Sequence, residues 1–414
     1  MATRLVSARW VLPIIAPPIH EGAVVLDDQG TILAVGPRAD VRAGYPALAE
    51  QRSDGALLPG LVNAHTHLEL SALAGRVPGG AGFVPWASAL MAVAHDLQFE
   101  AKRDAARTAA SAMVAAGTSA VGDVANALDH VDVIGEVGLR GLIFHELVGS
   151  REARTGDALA DAERERLHFI DHEPWPDGVG YVPAPHAPYS AGSELLRRIF
   201  IAAAATPHPT AVHVAEDPDE ITLLRHGTGR WAPILAGLGV VPGSRTPGLA
   251  PVAYLASLGA FAGPRPPLLV HMVHASAEDR DLARQHRAPV VLCPRSNLHI
   301  ELKLPPLLAM RSVGIEPALG TDSLASNSSL DVLAEAKALA DRFPSVPAWE
   351  LVKMATWNGA RALGRIDLGR LAKGARPGLL AIDANVAGDA SSFVLANLRL
   401  PRRMIAPRVS DNRS

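Results

Sequence analysis

The chain has 414 residues, a length that corresponds to two or three domains at about 150 residues each. A composition that is 48% hydrophobic and 20% charged excludes disorder as the main state, and 39 basic against 42 acidic residues, a net charge of −3, exclude a dedicated surface for nucleic acid or an anionic membrane. The single cysteine, Cys293, excludes an internal disulfide and a cysteine zinc cage and fits a cytoplasmic protein, so any metal has to sit on His and carboxylates.

In chain order, Met1 to Ala16 makes a poor signal peptide, because the apolar stretch Trp10 to Ile15 is short and contains Pro13. No apolar run is long enough for a membrane span, so a soluble protein is expected. Ala23 to Val35 reads as a hairpin around Asp27, Asp28, Gln29 and Gly30. From Pro59 onward, short apolar runs alternate with longer helical stretches. Eight such runs occur, at 61–67, 118–124, 139–147, 180–186, 210–216, 268–274, 289–294 and 315–322. Eight parallel strands with intervening helices predict an α/β fold of the (β/α)8 TIM barrel type over residues 59–364. Gly369 to Asp383 again reads as short strands broken by Gly and Pro. Neither end is large enough to bury its own core, so residues 1–58 and 365–414 are expected to build one composite β-sandwich domain. The tail from Pro401 to Ser414 is expected to be mobile.

The chemistry concentrates at the ends of the apolar runs. In Pro59-Gly60-Leu61-Val62-Asn63-Ala64-His65-Thr66-His67, residues two apart on a strand share a face, so His65 and His67 present two imidazoles suited to one divalent cation. Later runs end in His213-Val214-Ala215-Glu216, in His271-Met272-Val273-His274 and in Gly320-Thr321-Asp322-Ser323. Titratable groups at four strand ends are costly to bury unless paired or metal-bound, and jointly they point to a metal site. Taken alone, Asp322 could instead cap the helix that starts near Leu330.

PGLVNAHTHLE, HVAE, the strand-six histidine, CPRSN and GTDSLASN together resemble the amidohydrolase superfamily, in particular its deaminase and chlorohydrolase branch. The resemblance implies that His65, His67, His213 and Asp322 bind the metal and that Glu216 and His271 act on water and substrate. His274 is the rival to His271 for that role. Binuclear relatives need a bridging lysine or glutamate on strand four. This chain has VPAPHAP there, and no lysine between Lys102 and Lys303, so one divalent ion is expected, zinc or alternatively iron.

By the same resemblance His186, in HAPY, faces the substrate; otherwise it is a histidine stiffened between prolines. Glu69 is a substrate contact or a solvated loop carboxylate. Phe83 and Trp86 stack on a ring or pack a lid on its own barrel. Arg295, Ser296 and Asn297 hydrogen-bond a substrate, or Asn297 braces its loop. His145 and Glu146 line the same rim, and Cys293 reads as a small buried hydrophobe. Relatives often follow CPxSN with a Gly-rich loop, where this chain continues Leu298-His299-Ile300-Glu301-Leu302-Lys303.

The implied activity is hydrolytic deamination of an aminated purine-type ring or nucleoside, adenosine-like, S-adenosylhomocysteine or aminodeoxyfutalosine. Asp322 takes the water proton, His271 orients the oxygen and Glu216 protonates the ring nitrogen. The alternatives are a chlorohydrolase or cyclic-amide hydrolase of the same superfamily, or a barrel that serves as a non-catalytic scaffold. The partner expected is a small molecule, with no nucleic acid and no membrane, and a homodimer is the usual family assembly.

Overall fold

The computed structural model describes residues 3–94, 97–149, 155–237, 246–386 and 388–405. The N-terminal strands are β1 (Arg4–Val11), β2 (Ile19–Leu26), β3 (Ile32–Pro37) and β4 (Glu50–Pro59). β2 and β3 form the expected antiparallel hairpin, its turn closed by Gly30 at φ +75°. Gly60 alone separates β4 from β5 (Leu61–Thr66), the first of eight strands that match the eight apolar runs. The others are β6 (Thr118–Ala125), β7 (Arg140–Leu147), β8 (Val179–Pro185), β9 (Ala211–Val214), β10 (Leu268–His271), β11 (Val290–Leu292) and β12 (Ala318–Leu319).

These eight strands pair in parallel as two four-stranded sheets, ordered β5-β6-β7-β8 and β9-β10-β11-β12. Hydrogen bonds join the sheets at both edges. At one edge Thr321 N donates to His65 O at 2.9 Å. At the other, His213 N donates to His186 O at 2.9 Å and Thr210 Oγ1 donates to Pro183 O at 2.8 Å. Strands buried on both faces read as near-continuous apolar runs, and β5 and β6 are buried at every residue. Alternate side chains separate accordingly. Val62, Leu142, Phe144, Val182 and Val270 pack in one cluster, while Val121 and Ile143 turn outward onto the helix Phe99–Ala115.

The two chain ends meet in a single six-stranded sheet, ordered β14-β13-β4-β1-β2-β3, in which β13 is Leu379–Ile382 and β14 is Arg402–Met404. Ala56 of β4 pairs with Ile382 of β13, antiparallel. Two expectations need correction. Of the stretch Gly369 to Asp383, only Leu379–Ile382 is strand. The start of the supposedly mobile tail is ordered, because the side chain of Arg402 is buried in a two-pronged ion pair with Asp331, at 2.9 Å for each prong. Residues 406–414 lie outside the described residues. Among the described residues no helix is long and apolar enough to cross a membrane.

Glu50 ties this sheet to the helix Arg38–Gly44. It accepts from Arg38 Nε at 2.6 Å and Nη2 at 3.0 Å, and also from Ser7 Oγ. The Arg38 guanidinium, with help from Ser7, holds its carboxyl at about 2, below the ordinary 4.5. A lowered folded-state pKa stabilises fully above the unfolded value and is lost as pH falls through the folded one. Since Arg38 is itself two-fifths exposed, solvent screening discounts the pair. Glu50→Gln is expected to lower the unfolding free energy at pH 7 by about 1 kcal/mol or less. The gap to the parent protein should shrink between pH 4.5 and 2 in urea titrations.

Candidate active site

The side chains singled out at the strand ends converge. His213 Nε2 lies 3.2 Å from His65 Nε2 and 3.2 Å from His67 Nε2, and His67 Nε2 lies 3.7 Å from Asp322 Oδ1. All four residues are less than a tenth exposed. His213 Nδ1 donates to His186 O at 2.8 Å, which leaves the lone pair of neutral His213 on Nε2, facing the other two rings. Burial pushes the pKa values of His65, His67 and His213 below the ordinary imidazole value, and the neighbouring rings add to the effect at each. Burial acts upward on Asp322, but His67, His271 and Ser296 outweigh it and hold the carboxyl below its ordinary value.

Around this cluster, His271, Glu216 and Asp322 bring one donor atom each within 4.8 Å of one another, as do His65, His213 and His271. His271 Nε2 lies 3.4 Å from Glu216 Oε1. Asn297 Nδ2 donates to His271 Nδ1 at 3.1 Å, so the proton of neutral His271 resides on Nε2, toward Glu216. Burial drives the pKa of His271 down to about 3. Burial also drives that of Glu216 well above the carboxylate range, with Asp322, Glu220 and Glu301 adding to the rise. His274 is turned elsewhere: its Nε2 is paired with Glu301 Oε2 at 2.7 Å and its Nδ1 accepts from Lys303 Nζ at 3.0 Å.

The backbone that presents these groups is strained. Ala215, His271, Met272 and Asp322 all have φ between +50° and +74°, a region that non-glycine residues rarely occupy and that persists only when surrounding contacts over-determine it. Those contacts are visible. Glu220 accepts from the backbone N–H of Ala215 at 3.1 Å and of Glu216 at 3.0 Å. Asp322 Oδ2 accepts from Ser296 Oγ at 2.5 Å and Ser326 Oγ at 3.0 Å. Asn63 accepts from Thr321 N at 3.1 Å and donates to Thr321 Oγ1 at 2.7 Å, which locks β5 to the segment carrying Asp322. The helix Val332–Arg342 is capped by Asp331, whose side chain accepts from Leu333 N, so Asp322 does not serve as its cap.

The remaining sequence-predicted residues fall into two groups. His186 flanks the cluster, and Glu69 lies beside Asn126 and Glu146. His186 Nδ1 is paired with Ser190 Oγ at 2.6 Å and its pKa is lowered to about 4 by burial, while Glu69 accepts from Asn126 N at 2.9 Å and is raised to about 7 by burial. Arg295 and Asn297 are engaged by the protein: the Arg295 guanidinium contacts Ser328, Ser329 and the fully buried Glu335, and Asn297 supports His271. Trp86 packs with Phe83 and Trp231 in an apolar cluster over the helix Phe83–Ala94. Cys293 is fully buried.

Sequence reading missed Asn63, Glu220 and Ser326, and read Ser296 as a substrate contact where it donates to Asp322 Oδ2. Only Glu220 had a usable signal, since Asp217-Pro218-Asp219-Glu220 has the form of a helix start with a carboxylate at its third position.

Matched against known proteins, residues 56–398 fit the model of the amidohydrolase family. An aminodeoxyfutalosine deaminase of Deinococcus radiodurans is 32% identical over 358 residues, covering 83% of this chain and 81% of the relative. The solved aminofutalosine deaminase of Helicobacter pylori, in complex with methylthio-coformycin, superposes with a TM-score of 0.83 at 23% identity, covering 96% of each chain. An adenosine deaminase of Xanthomonas campestris with bound zinc superposes at 0.78 and 24% identity, covering 98% of this chain and 94% of that one. A metal-competent cluster at strand ends and a match over most of the length define the class: the chain belongs to the amidohydrolase family. It is a hydrolase of carbon–nitrogen bonds other than peptide bonds, with deaminases among its relatives.

Gly320 is a steric condition of the site. A Cβ there would lie 2.7 Å from His65 Cβ and 2.8 Å from His65 O. Gly320→Ala is therefore expected to cost about 1–3 kcal/mol of stability and to lower metal content, read by denaturant titration and metal analysis.

Proposed function

We propose that the chain deaminates an aminated purine-type ring or nucleoside by hydrolysis, with one divalent ion, zinc by preference, held by His65, His67, His213 and Asp322. The donor set fits such an ion. Three uncharged imidazoles point nitrogen toward nitrogen at 3.2 Å, and ligand atoms about 3.3 Å apart are what a tetrahedral ion with bonds of about 2.0–2.1 Å demands. Iron is the alternative with similar ligands. The ion, when bound, supplies Lewis acidity that makes water a competent nucleophile near neutral pH.

The protein's own groups then divide the proton work. Asp322, held below the usual carboxylate range, accepts the proton of the attacking water. His271 keeps a proton on Nε2 and uses it to orient the oxygen. Glu216, whose carboxyl burial drives toward the protonated form, donates its proton to the ring nitrogen beside the attacked carbon; Asp322 then passes its proton to the departing amine, and the proton of the added hydroxyl returns to Glu216 as ammonia leaves. The observation that carries this reading is the convergence of Glu216, His271 and Asp322 within 4.8 Å beside the three-histidine cluster. A non-catalytic scaffold would have no use for a buried carboxyl in that position.

The architecture proposed with it is a closed (β/α)8 barrel over residues 59–364 and a β-sandwich domain from residues 1–58 and 365–414. The hydrogen bonds at both sheet edges and the pairing of β4 with β13 support it. We further place the protein in the cytoplasm and expect a homodimer.

The test is metal analysis coupled to ammonia release from aminated purines and their nucleosides. The expected result is about one zinc per chain and ammonia from at least one nucleoside. Glu216→Gln should reduce kcat by about 10²–10⁴-fold while keeping the metal, whereas His67→Ala should lose both. Full activity of Glu216→Gln would remove the acid role, and chloride release without ammonia would point to the chlorohydrolase chemistry instead.

A further inference from the structure

The far end of the parallel strands carries positive charge that the chemistry at the ion cluster leaves unused. Arg140 and Glu146 stand near opposite ends of β7, about 20 Å apart along the extended chain. Gly178, which directly precedes β8, brings two arginines together beside the start of β7. Its carbonyl accepts from Arg365 Nη1 at 2.7 Å. Its φ is +76°, and a Cβ on it would lie 3.2 Å from both Cγ and Cδ of Arg140.

The Arg365 guanidinium is balanced, since Nε and Nη2 hold Asp367 at 3.0 and 2.9 Å. Arg140 has no such partner. It is half-buried, and among the described residues its guanidinium makes no hydrogen bond and no ion pair. Burial pushes its pKa down, the charges of Arg365 and Arg376 push it further, and Asp367 offsets them only in part. Arg376 adjoins Asp367, donating its backbone N–H to Asp367 O at 2.8 Å, and its charge also acts on Asp27. On the other side, Arg265 donates to Thr206 O at 3.2 Å, and its charge and that of Arg365 both bear on His208. Asp177, next to Gly178, is exposed and forms no ion pair among the described residues. Arg140 and Arg265 are thus left without a counter-charge.

A guanidinium half withdrawn from water, beside a like charge and with no acceptor for its N–H groups, contributes nothing as a salt bridge and costs desolvation. An anion would remove that cost. The planar fork of arginine matches the oxygen pairs of phosphate and carboxylate, and two unbalanced cations favour a dianion over a monoanion.

We propose that Arg140 and Arg365, with Arg265 and Arg376 around them, bind a phosphate group at the amino ends of β7 and β8. The site is separate from the deaminase reading and does not depend on it. An anion bound there only by the folded chain stabilises the fold through linkage.

The experiment is calorimetric titration and thermal unfolding of the metal-loaded protein in chloride buffer at constant ionic strength, which fixes screening. The probes are inorganic phosphate, sulfate, glycerol 3-phosphate and acetate. The same titrations on His67→Ala, which should lack the metal, tell this site from anion binding at the ion cluster. Phosphate and sulfate should bind and raise Tm in both proteins, with acetate at least about tenfold weaker. Arg140→Gln should weaken phosphate binding by about 10–100-fold. In chloride alone it should be as stable as the parent protein or more so, because it removes an unpaired cation. Arg140→Lys keeps the charge without the fork and should bind more weakly than the parent protein; it carries the comparison if Arg140→Gln does not fold.

Binding of inorganic phosphate but not of glycerol 3-phosphate supports the site with the free ion as its ligand. Equal or tighter binding of the ester supports it with a phosphorylated small molecule. Absence of phosphate and sulfate binding overturns the proposal. So does phosphate binding that is unchanged by both Arg140 substitutions, or that is lost in His67→Ala, which would assign the anion to the ion cluster.

Discussion

The structure depends on what it costs to keep three uncharged imidazoles and a carboxylate inside a parallel-sheet core with their lone pairs turned toward one another. In water each group would be solvated at no expense; in the interior each has to be satisfied by a neighbour or by an ion. His65, His67 and His213 approach to 3.2 Å around a common centre, an arrangement that repels itself unless positive charge enters. Fold stability and ion affinity are therefore linked, because an ion that binds only the folded chain adds its binding free energy to folding.

Side chains outside that cluster hold its surroundings in place. Asp322 and His271 sit at positive φ, and each is secured from outside the ligand set, Asp322 by Ser296 and Ser326 and His271 by Asn297. Glu220 does the same for the backbone of Glu216. The logic of such a site is rigidity at the moment of reaction: groups already oriented need not reorganise when charge develops. The short helix Pro294–Glu301 contributes to two sides at once, since Ser296 reaches Asp322 and Asn297 reaches His271.

How much of this was legible in the sequence follows from range. The eight apolar runs reported eight strands because a strand buried on both faces has to be apolar almost throughout, and the HxH spacing reported a shared face because the strand period is two. The ends of those runs were less legible: the expected strand through Asp322 stops at Leu319, and the one through Glu216 stops at Val214, because the backbone leaves the sheet to aim the side chains. Asn297 and Arg295 resembled substrate ligands by position, yet their partners, His271 and Glu335, lie on other elements. No local pattern encodes a partner that distant along the chain. Ser326 was hidden, and Ser296 read as a substrate contact, for the same reason, as a serine's role is set by what faces it.

The sheet shared by the two ends has a consequence for how the chain assembles as it is synthesised. β1, β2, β3 and β4 can pair as soon as they emerge, but the free edge of β4 waits for β13, and β13 in turn pairs with β14. Until then an apolar edge with unpaired N–H and C=O groups stays open, which is the kind of template that neighbouring chains can extend. β4 runs through Gly60 directly into β5, the strand that bears the first two histidines. The ribosome thus delivers the first half of the ion cage early, and completes its support last.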